Sequence, residues 1–550
     1  MEMRASETAG RGEGLTPPLS PLAAVLYDSM LPSHCAACFS PLPPSGTASP
    51  ESSSAPHLRY CSPRCSSAAS PLHSSSAECH LLLLRSRLPV CYADDTSDLR
   101  VSLRLLRTHP LTPSGHRIAG LLTNHRTLVS GRYSEPTGGD DVVERIREGG
   151  KAMAMARAFR DGVEFSGDTA LQEEVALCAV LTNAVEVRGD GGRGLGIALY
   201  DAAFSWINHS CSPNACYRFL LASASTEMVH FPANQGFRIT PGGKDASNSL
   251  CLPGELRKGM ATYGPRIVVR SIKPITEGEE VTVAYVDLLQ PKASRQSELW
   301  LKYRFLCRCL RCSALPSTYT DHALQDIVAA DLESLDLNFL RDETSKTLAN
   351  SLDDAISDYL LASDPESCCR KLEDILTHGI TFGELNIRLR PLHHLALDAY
   401  TALASAYKTC AGNSLDFNEC RTGAAYSLFL AGAAHHLFLS EASLIASVAR
   451  FWKNAGESLL GLAGGSVKLE TGSHGFCCNC LLRAGCSELE DVSRAFIDCM
   501  AKRVRGVWGF LVCSCEYLGG FEDPIDFSWL LGGTGVQNSG QVFCGSAGNI

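Results

Sequence analysis

A short polar stretch, Asn208-His209-Ser210-Cys211-Ser212-Pro213-Asn214, follows apolar sequence running from Ile197-Ala198-Leu199-Tyr200 through Phe204, Trp206 and Ile207. Asn, His, Ser and Cys set against strand-like apolar residues point to backbone crossing a site. Taken alone, the same stretch reads as an Asx-type turn capped by Ser-Pro. The cysteines carry a second chemistry. His34-Cys35-x2-Cys38 and Tyr60-Cys61-x3-Cys65 are tightly spaced pairs, each able to present two thiolates to one tetrahedral zinc ion. The alternative is a Ser/Pro-rich loop with free thiols. Further on, Cys307-x-Cys309-x2-Cys312 supplies three thiolates and lacks a fourth.

The compartment decides how cysteines are read. The chain has 25 of them in 550 residues, yet its start, Met1-Glu2-Met3-Arg4-Ala5, has no apolar signal-peptide core. No run approaches the roughly 18 apolar residues of a membrane span. Reduced cysteines in the nucleus or cytoplasm are therefore expected, and there clusters mean metal. A net charge of −10 provides no global basic field for nucleic acid. It suits basic protein segments such as histone tails.

Strands and helices must position these residues. Pro21 to Leu26 reads as a strand, as do Arg266-Ile267-Val268-Val269-Arg270 and Val281-Thr282-Val283-Ala284-Tyr285, with a turn at Lys273-Pro274-x3-Gly278 between the last two. Residues 95–180 read as mostly helical from Leu99-x3-Leu103-x2-Leu106 and Leu171-x3-Val175-x2-Cys178, with a turn-rich break from Gly131 to Asp141. Residues 221–263 read as a surface-loop insertion. Gly189-x-Gly191-x2-Gly194 fits a dinucleotide-binding fingerprint by letter, but strand-like sequence follows where a helix should open, and no acid lies about 20 residues on. That reading is rejected. After Cys312, the segments Leu352–Leu361, Leu392–Tyr407, Tyr426–Leu439 and Leu444–Leu462 have helical spacing. Small residues such as Ala399, Ala402, Ala406, Ala431 and Ala434 stand at the contacts, which fits stacked antiparallel helices resembling a tetratricopeptide array. Cys477, Cys478, Cys480, Cys486, Cys513 and Cys515 form a cysteine-rich patch read as buried thiols before metal ligands. The pairs His393-His394 and His435-His436 point different ways on helices and are not read as ligands. The Gly- and Ser-rich tail after Leu531 is expected to be disordered.

Three motifs in order carry a resemblance: Asn208-His209-Ser210-Cys211-x-Pro213-Asn214, then Gly278-Glu279-Glu280-Val281-Thr282-Val283-x-Tyr285, then Tyr303-x-Phe305-x-Cys307-x-Cys309-x2-Cys312. Together they resemble the core of SET-domain protein lysine methyltransferases. Gly194 to Tyr200 and Arg295-Gln296-x2-Leu299-x3-Tyr303 are similar to the SET-and-MYND (SMYD-type) branch. The resemblance implies an α+β fold: a SET-domain β-fold interrupted by a MYND-like zinc finger and a helical insert, then an all-α tetratricopeptide-like domain. The implied boundaries are 1–30 for an N-terminal SET segment, 31–85 for a degenerate finger, 95–185 for the insert, 186–298 for the core, 299–312 for a post-SET zinc segment and 313–530 for the helical domain. The implied cofactor is S-adenosyl-L-methionine. Asn208 and His209 would hold it, chiefly through backbone contacts; Asn183 would meet its polar end and Phe305 its adenine. Tyr285 would orient the substrate amine and Tyr303 would wall the channel. Cys211 would complete a structural zinc centre with Cys307, Cys309 and Cys312. A full MYND finger holds two zincs; here Cys35, Cys38, Cys61 and Cys65 would hold one, the second ligand pair is missing, His73 stands where a seventh ligand would, and Cys79 is two residues late for the eighth. The family's Gly-x-Gly loop has no counterpart before Arg4-Ala5. The implied partner is a protein with a target lysine, histone or otherwise, met by a monomer with no membrane attachment. The alternative is a non-catalytic scaffold built on the same fold.

Overall fold

Alternation along two paired strands sets the layering of the first half of the chain. The computed structural model describes residues 2–43, 58–109, 111, 117–129, 139–165, 170–189, 193–221, 236–242, 264–325, 327–329, 346–357, 364–382, 385–390, 392–414 and 417–466. Two compact units emerge, Met1–Val286 with Gln296–Cys309, and Asp287–Arg295 with Leu310 onward. In chain order the elements are β1 (Glu2–Ala5), β2 (Ala23–Leu26), α1 (Pro63–Ser75), α2 (Glu78–Leu83), α3 (Ser97–Thr108), β3 (Arg117–Ile118), β4 (Leu121–Leu122), α4 (His125–Val129), α5 (Gly139–Asp161), α6 (Leu171–Asn183), β5 (Val185–Arg188), β6 (Gly194–Leu199), α7 (Ala202–Ser205), β7 (Asn208–His209), β8 (Ala215–Leu220), β9 (Ile239–Gly242), β10 (Arg266–Ser271), β11 (Thr282–Val283) and α8 (Lys292–Tyr303).

β2, β6 and β5 form an antiparallel sheet in that order. Successive side chains on a strand face opposite sides. Ala23, Val25, Ile197 and Leu199 accordingly pack with Val101, Leu105, Ala176 and Val180 of α3 and α6. Ala24, Leu26, Ala198 and Tyr200 instead join a second core with Cys35, Tyr60, Ile267 and Val283. The helical insert thus covers one face of this sheet, and the finger and the remaining strands belong to the core on the other. Gly196 makes the close pairing possible, because a Cβ there would run into the carbonyl of Val25. β6 begins at Gly194, so a strand and not a helix follows the glycine fingerprint.

Several expectations need adjustment. The insertion at 221–263 contains β9, which pairs antiparallel with β1, Ile239 opposite Ala5; apolar Phe237 and Ile239 alternating with polar Arg238 and Thr240 had a strand signal beneath the loop-like composition. Residues 222–235 and 243–263 of that insertion lie outside the described residues, as do residues 44–57. Of the break expected from Gly131 to Asp141, the residues from Gly139 onward already belong to α5.

The second unit is also not wholly α-helical. Besides α9 (Leu310–Ser313), α10 (Tyr319–Ala323), α11 (residues 346–357), α12 (Pro365–His378), α13 (His394–Ser414), α14 (Phe417–Ser440) and α15 (Ile445–Ser466), it holds β12 (Ile327–Ala329), β13 (Ile380–Phe382) and β14 (Leu385–Leu389) in a small antiparallel sheet with β14 central. Short β-branched runs such as Ile380-Thr381-Phe382 favour extension, and too few residues separate them from their neighbours for helical periodicity to show. From α12 to α15 each helix packs on the next. Ala399, Ala406, Ala431 and Ala434 are fully buried at these contacts. The C-terminal cysteine patch and the tail fall outside the described residues.

Candidate active site and metal centres

The Asn208 motif is built onto the core by a strand of only two residues. β7 pairs parallel with β11, Asn208 opposite Thr282 and His209 opposite Val283. The Ser210 N–H continues the ladder to the Val283 carbonyl at 3.0 Å. Asn214 extends it by side chain: its Oδ1 accepts from the Thr282 N–H at 2.9 Å, and its Nδ2 donates to the Glu280 carbonyl at 2.9 Å. Asn208 Nδ2 donates to Glu280 Oε1 at 2.7 Å. The strand expected over Val281–Tyr285 is therefore much shorter. Its ladder ends because the Tyr285 N–H donates to His209 Nδ1, at 2.9 Å, in place of a backbone partner.

That arrangement gathers four rings. Ring centroids lie 5.0 Å apart for Tyr285 and Tyr303, 5.3 Å for His209 and Tyr285, 6.1 Å for His209 and Phe305, and 6.2 Å for Tyr303 and Phe305. Tyr303 ends α8, and Arg304, at φ 60°, turns the chain so that Phe305 returns to the same cluster. The Tyr285 hydroxyl donates to the Ile207 carbonyl at 2.5 Å. Its proton is thereby committed, and its lone pairs remain to face an incoming donor. Burial pushes both Tyr285 and Tyr303 well above the ordinary phenol range, so both hydroxyls stay neutral.

Tyr217 escaped the sequence reading. It sits on β8 opposite Val269, its ring 5.3 Å from Phe204 and 5.8 Å from Phe219. Its hydroxyl is close enough to Tyr285 and Tyr303 to raise both electrostatically. The available signal was the alternation Ala215, Tyr217, Phe219 just past Asn214. Asn183 stands apart: it closes α6, where its Nδ2 donates to the carbonyls of Leu122 and Ala179 at 2.9 and 2.7 Å. Among the described residues, no hydrogen bond or ring contact joins it to Asn208, His209 or Phe305.

Two four-cysteine groups are present, Cys35 with Cys38, Cys61 and Cys65, and Cys211 with Cys307, Cys309 and Cys312; within each, the sulfurs lie within 4.8 Å of one another. Four sulfurs about 2.3 Å from a tetrahedral zinc stand about 3.8 Å apart, so both groups fit that ion. Burial pushes the Cys65 thiol up to about 11, and such crowded thiols ionise together only around a cation. In the second group the Gln296 carboxamide grips the Cys307 backbone from both sides, Nε2 to its carbonyl and Oε1 from its N–H, each at 2.8 Å.

His73 belongs to neither group. It is buried, its Nδ1 2.9 Å from Glu78 Oε2. Glu78 also meets Arg104 at 2.7 Å and Arg100 at 3.3 Å, and Arg100 reaches Asp28 at 2.6 Å. Burial alone would raise the Glu78 carboxyl, but Arg104, His73 and Arg100 overcome it and hold it below the usual range. Where the resemblance placed a seventh metal ligand, a buried charge network stands.

Residues 173–286 match the SET domain family. The chain is 40% identical over 548 residues to Protein SET DOMAIN GROUP 41 of Arabidopsis thaliana, covering 96% of this chain and 91% of that relative. It is 23% identical over 258 residues to Histone-lysine N-methyltransferase SMYD3 of Mus musculus, 46% of each chain. Over 67 residues it is 39% identical to N-lysine methyltransferase SMYD2 of Gallus gallus, 12% of this chain and 14% of that relative. With the parallel β7–β11 pair, the tyrosine cluster and the two cysteine groups already in place, identity sustained along nearly the whole of both chains shows that the chain belongs to the SET-domain family, with similarity to SET-and-MYND proteins over part of its length.

Proposed function

We propose that the protein is an S-adenosyl-L-methionine-dependent protein lysine methyltransferase. The observation that carries this reading is the aromatic cluster of Tyr285, Tyr303, His209 and Phe305 set against a two-residue strand. A half-exposed Phe305 ring, its centroid 6.1 Å from that of His209, suits a purine nucleoside, which needs a flat apolar face and edge hydrogen bonds. When bound, the cofactor supplies an electrophilic methyl group. The protein must supply a neutral amine. Lysine ordinarily loses its proton near a pKa of about 10.4, and walls of half-buried tyrosine disfavour the ammonium form. The Tyr285 oxygen, its proton held by Ile207, can accept from the amine and orient its lone pair; the remaining acceleration is positioning. We assign Asn183 to the cofactor's polar end on resemblance alone. The two cysteine groups are assigned to structural zinc, with no open position for chemistry.

The substrate we propose is a lysine in a basic protein segment, a histone tail or a non-histone equivalent, drawn to a chain of net charge −10. The helical unit, read as tetratricopeptide-like, would hold partners, and the nucleus or cytoplasm would be the compartment. Among the described residues no helix is long and apolar enough to cross a membrane.

Calorimetric titration of the zinc-loaded protein with S-adenosyl-L-methionine tests the reading. Binding that is lost on Asn208→Ala supports it and justifies a screen of lysine-bearing proteins. No detectable heat with fully zinc-loaded protein would overturn it, leaving the scaffold.

A further inference from the structure

We propose that the His209 side chain is a positioning residue that ties the Cys211 zinc centre to Tyr285 through its two ring nitrogens. Its catalytic consequence rests on the methyltransferase reading; its hydrogen-bond pattern does not. The Tyr285 backbone N–H points at Nδ1 over 2.9 Å, so Nδ1 presents a lone pair. A neutral imidazole with Nδ1 unprotonated carries its hydrogen on Nε2. Nε2 lies 3.2 Å from Cys211 Sγ, and Cys211 is one of the four clustered thiols. A metal-bound cysteine is a thiolate and accepts that hydrogen, a contact of the kind that fixes a metal ligand's orientation and sharpens affinity. The ring thus faces two ways: toward the metal through its donor, and toward the tyrosine strand through its acceptor.

The consequence is directional. A thiolate at Cys211 selects the Nε2–H tautomer, that tautomer leaves Nδ1 free to accept, and the acceptor ends the β11 ladder at Tyr285. The position of the Tyr285 backbone, and with it the hydroxyl bound to Ile207, is then set by the metal centre. A backbone role for His209 in cofactor binding makes no use of either ring nitrogen, so the two functions are separable.

Two substitutions split the ring. His209→Asn keeps an acceptor where Nδ1 stands and loses the donor; His209→Gln keeps a donor where Nε2 stands and loses the acceptor. In His209→Asn, one of the two zinc equivalents should be surrendered to a competing chelator about 10–100-fold more readily, while the Tyr285 amide remains protected from hydrogen exchange. In His209→Gln both zincs should be retained, the Tyr285 amide should exchange faster, and kcat should fall with KM little changed. Equal loss of both properties in both variants, or loss of neither, overturns the proposal. Imidazole nitrogen NMR of the unsubstituted zinc-loaded protein is independent of any variant: hydrogen on Nε2 and a bare Nδ1 are expected, and the opposite tautomer overturns it. Absent methyltransferase activity would remove only the kcat readout, leaving zinc retention, exchange and tautomer to decide.

Discussion

Tyr285 makes one hydrogen bond through its hydroxyl and another through its backbone, and the two have different consequences. Tyr285→Phe removes the first, leaving the Ile207 carbonyl without its donor and an amine without its acceptor. Because the ring and the backbone bond to His209 remain, the loss should fall on kcat, by about two orders of magnitude, with the fold intact by circular dichroism; an unchanged kcat would place the amine elsewhere. The pH profile follows from the same environment. Burial raises Tyr285 and Tyr303 above the ordinary phenol value of about 10, so neither ionises in the assay range. Rate should climb with pH as the substrate amine deprotonates, and a falling limb below about pH 10 would contradict neutral tyrosines. Tyr217 adds a third hydroxyl beside these two. Tyr217→Phe should enlarge the space by about one oxygen and shift product toward more highly methylated lysine, read by mass spectrometry; an unchanged distribution would remove Tyr217 from the channel wall. At this scale the sequence was most legible where types cluster locally, as in Asn208-His209-Ser210-Cys211. Tyr217 was not, because its relevance comes from the register of β8 with β10, and no local spacing encodes which face of a strand pair meets Tyr285.

Elements are held by side chains reaching across them, and the second unit shows this most plainly. Arg295 on α8 and Arg311 on α9 both grip Asp321 on α10: Arg295 NH1 and Arg311 NH2 lie 2.7 Å from Oδ1, and NH2 of Arg295 and Nε of Arg311 lie 3.2 Å from Oδ2. All three residues are buried. Burial alone would raise the Asp321 carboxyl, but the bonds from Arg295 and Arg311 outweigh it and hold it below its ordinary value. Asp321→Ala would leave two guanidiniums buried without their carboxylate and should cost about 3–5 kcal/mol. The sign of the pH dependence is fixed by the lowered value: the contribution is fully present above the unfolded-state pKa of about 3.9 and is lost as pH falls through the lower folded value. Urea denaturation of both proteins along a series of pH values tests this, and a substituted chain as stable as the parent at neutral pH would refute it. The motif Arg295-Gln296-x2-Leu299-x3-Tyr303 was visible in the sequence, but the work of its members was not. Arg295 serves Asp321 and Gln296 grips Cys307, partners 26 and 11 residues away. Helices announced themselves by a period that repeats over many residues, as at Leu99, Leu103 and Leu106. β9, β13 and β14 did not, since three to five residues give too few alternations to stand out from a loop.

At the scale of the whole molecule, the two cysteine groups are alike in chemistry and different in what depends on them. The motif at 208–214, the tyrosine at 285 and the segment 303–312 are distant in sequence. They meet through the parallel β7–β11 pair and through Cys211, which the metal group shares with Cys307, Cys309 and Cys312. Phe305 stands two residues before Cys307, and His209 two residues before Cys211, so both rings of the proposed cofactor site are flanked by ligands of one centre. No ligand of the finger group stands near either ring in the sequence. The group's surroundings include the charge network of His73, Glu78, Arg100, Arg104 and Asp28, which holds α1, α2 and α3 together without metal. Cys61 and Cys309 are the least buried members of their groups, so replacing either by Ser removes a ligand at small packing cost. Cys309→Ser should therefore weaken S-adenosyl-L-methionine binding by at least about tenfold, the order by which metal-centre supports act. Cys61→Ser should lower the melting temperature while leaving that affinity within about threefold, because no ligand of the finger group flanks His209 or Phe305 in the chain. Calorimetry on the pair decides the matter: equal loss of affinity in both would mean that the finger zinc, too, holds the site in shape, and that the charge network cannot carry the finger alone.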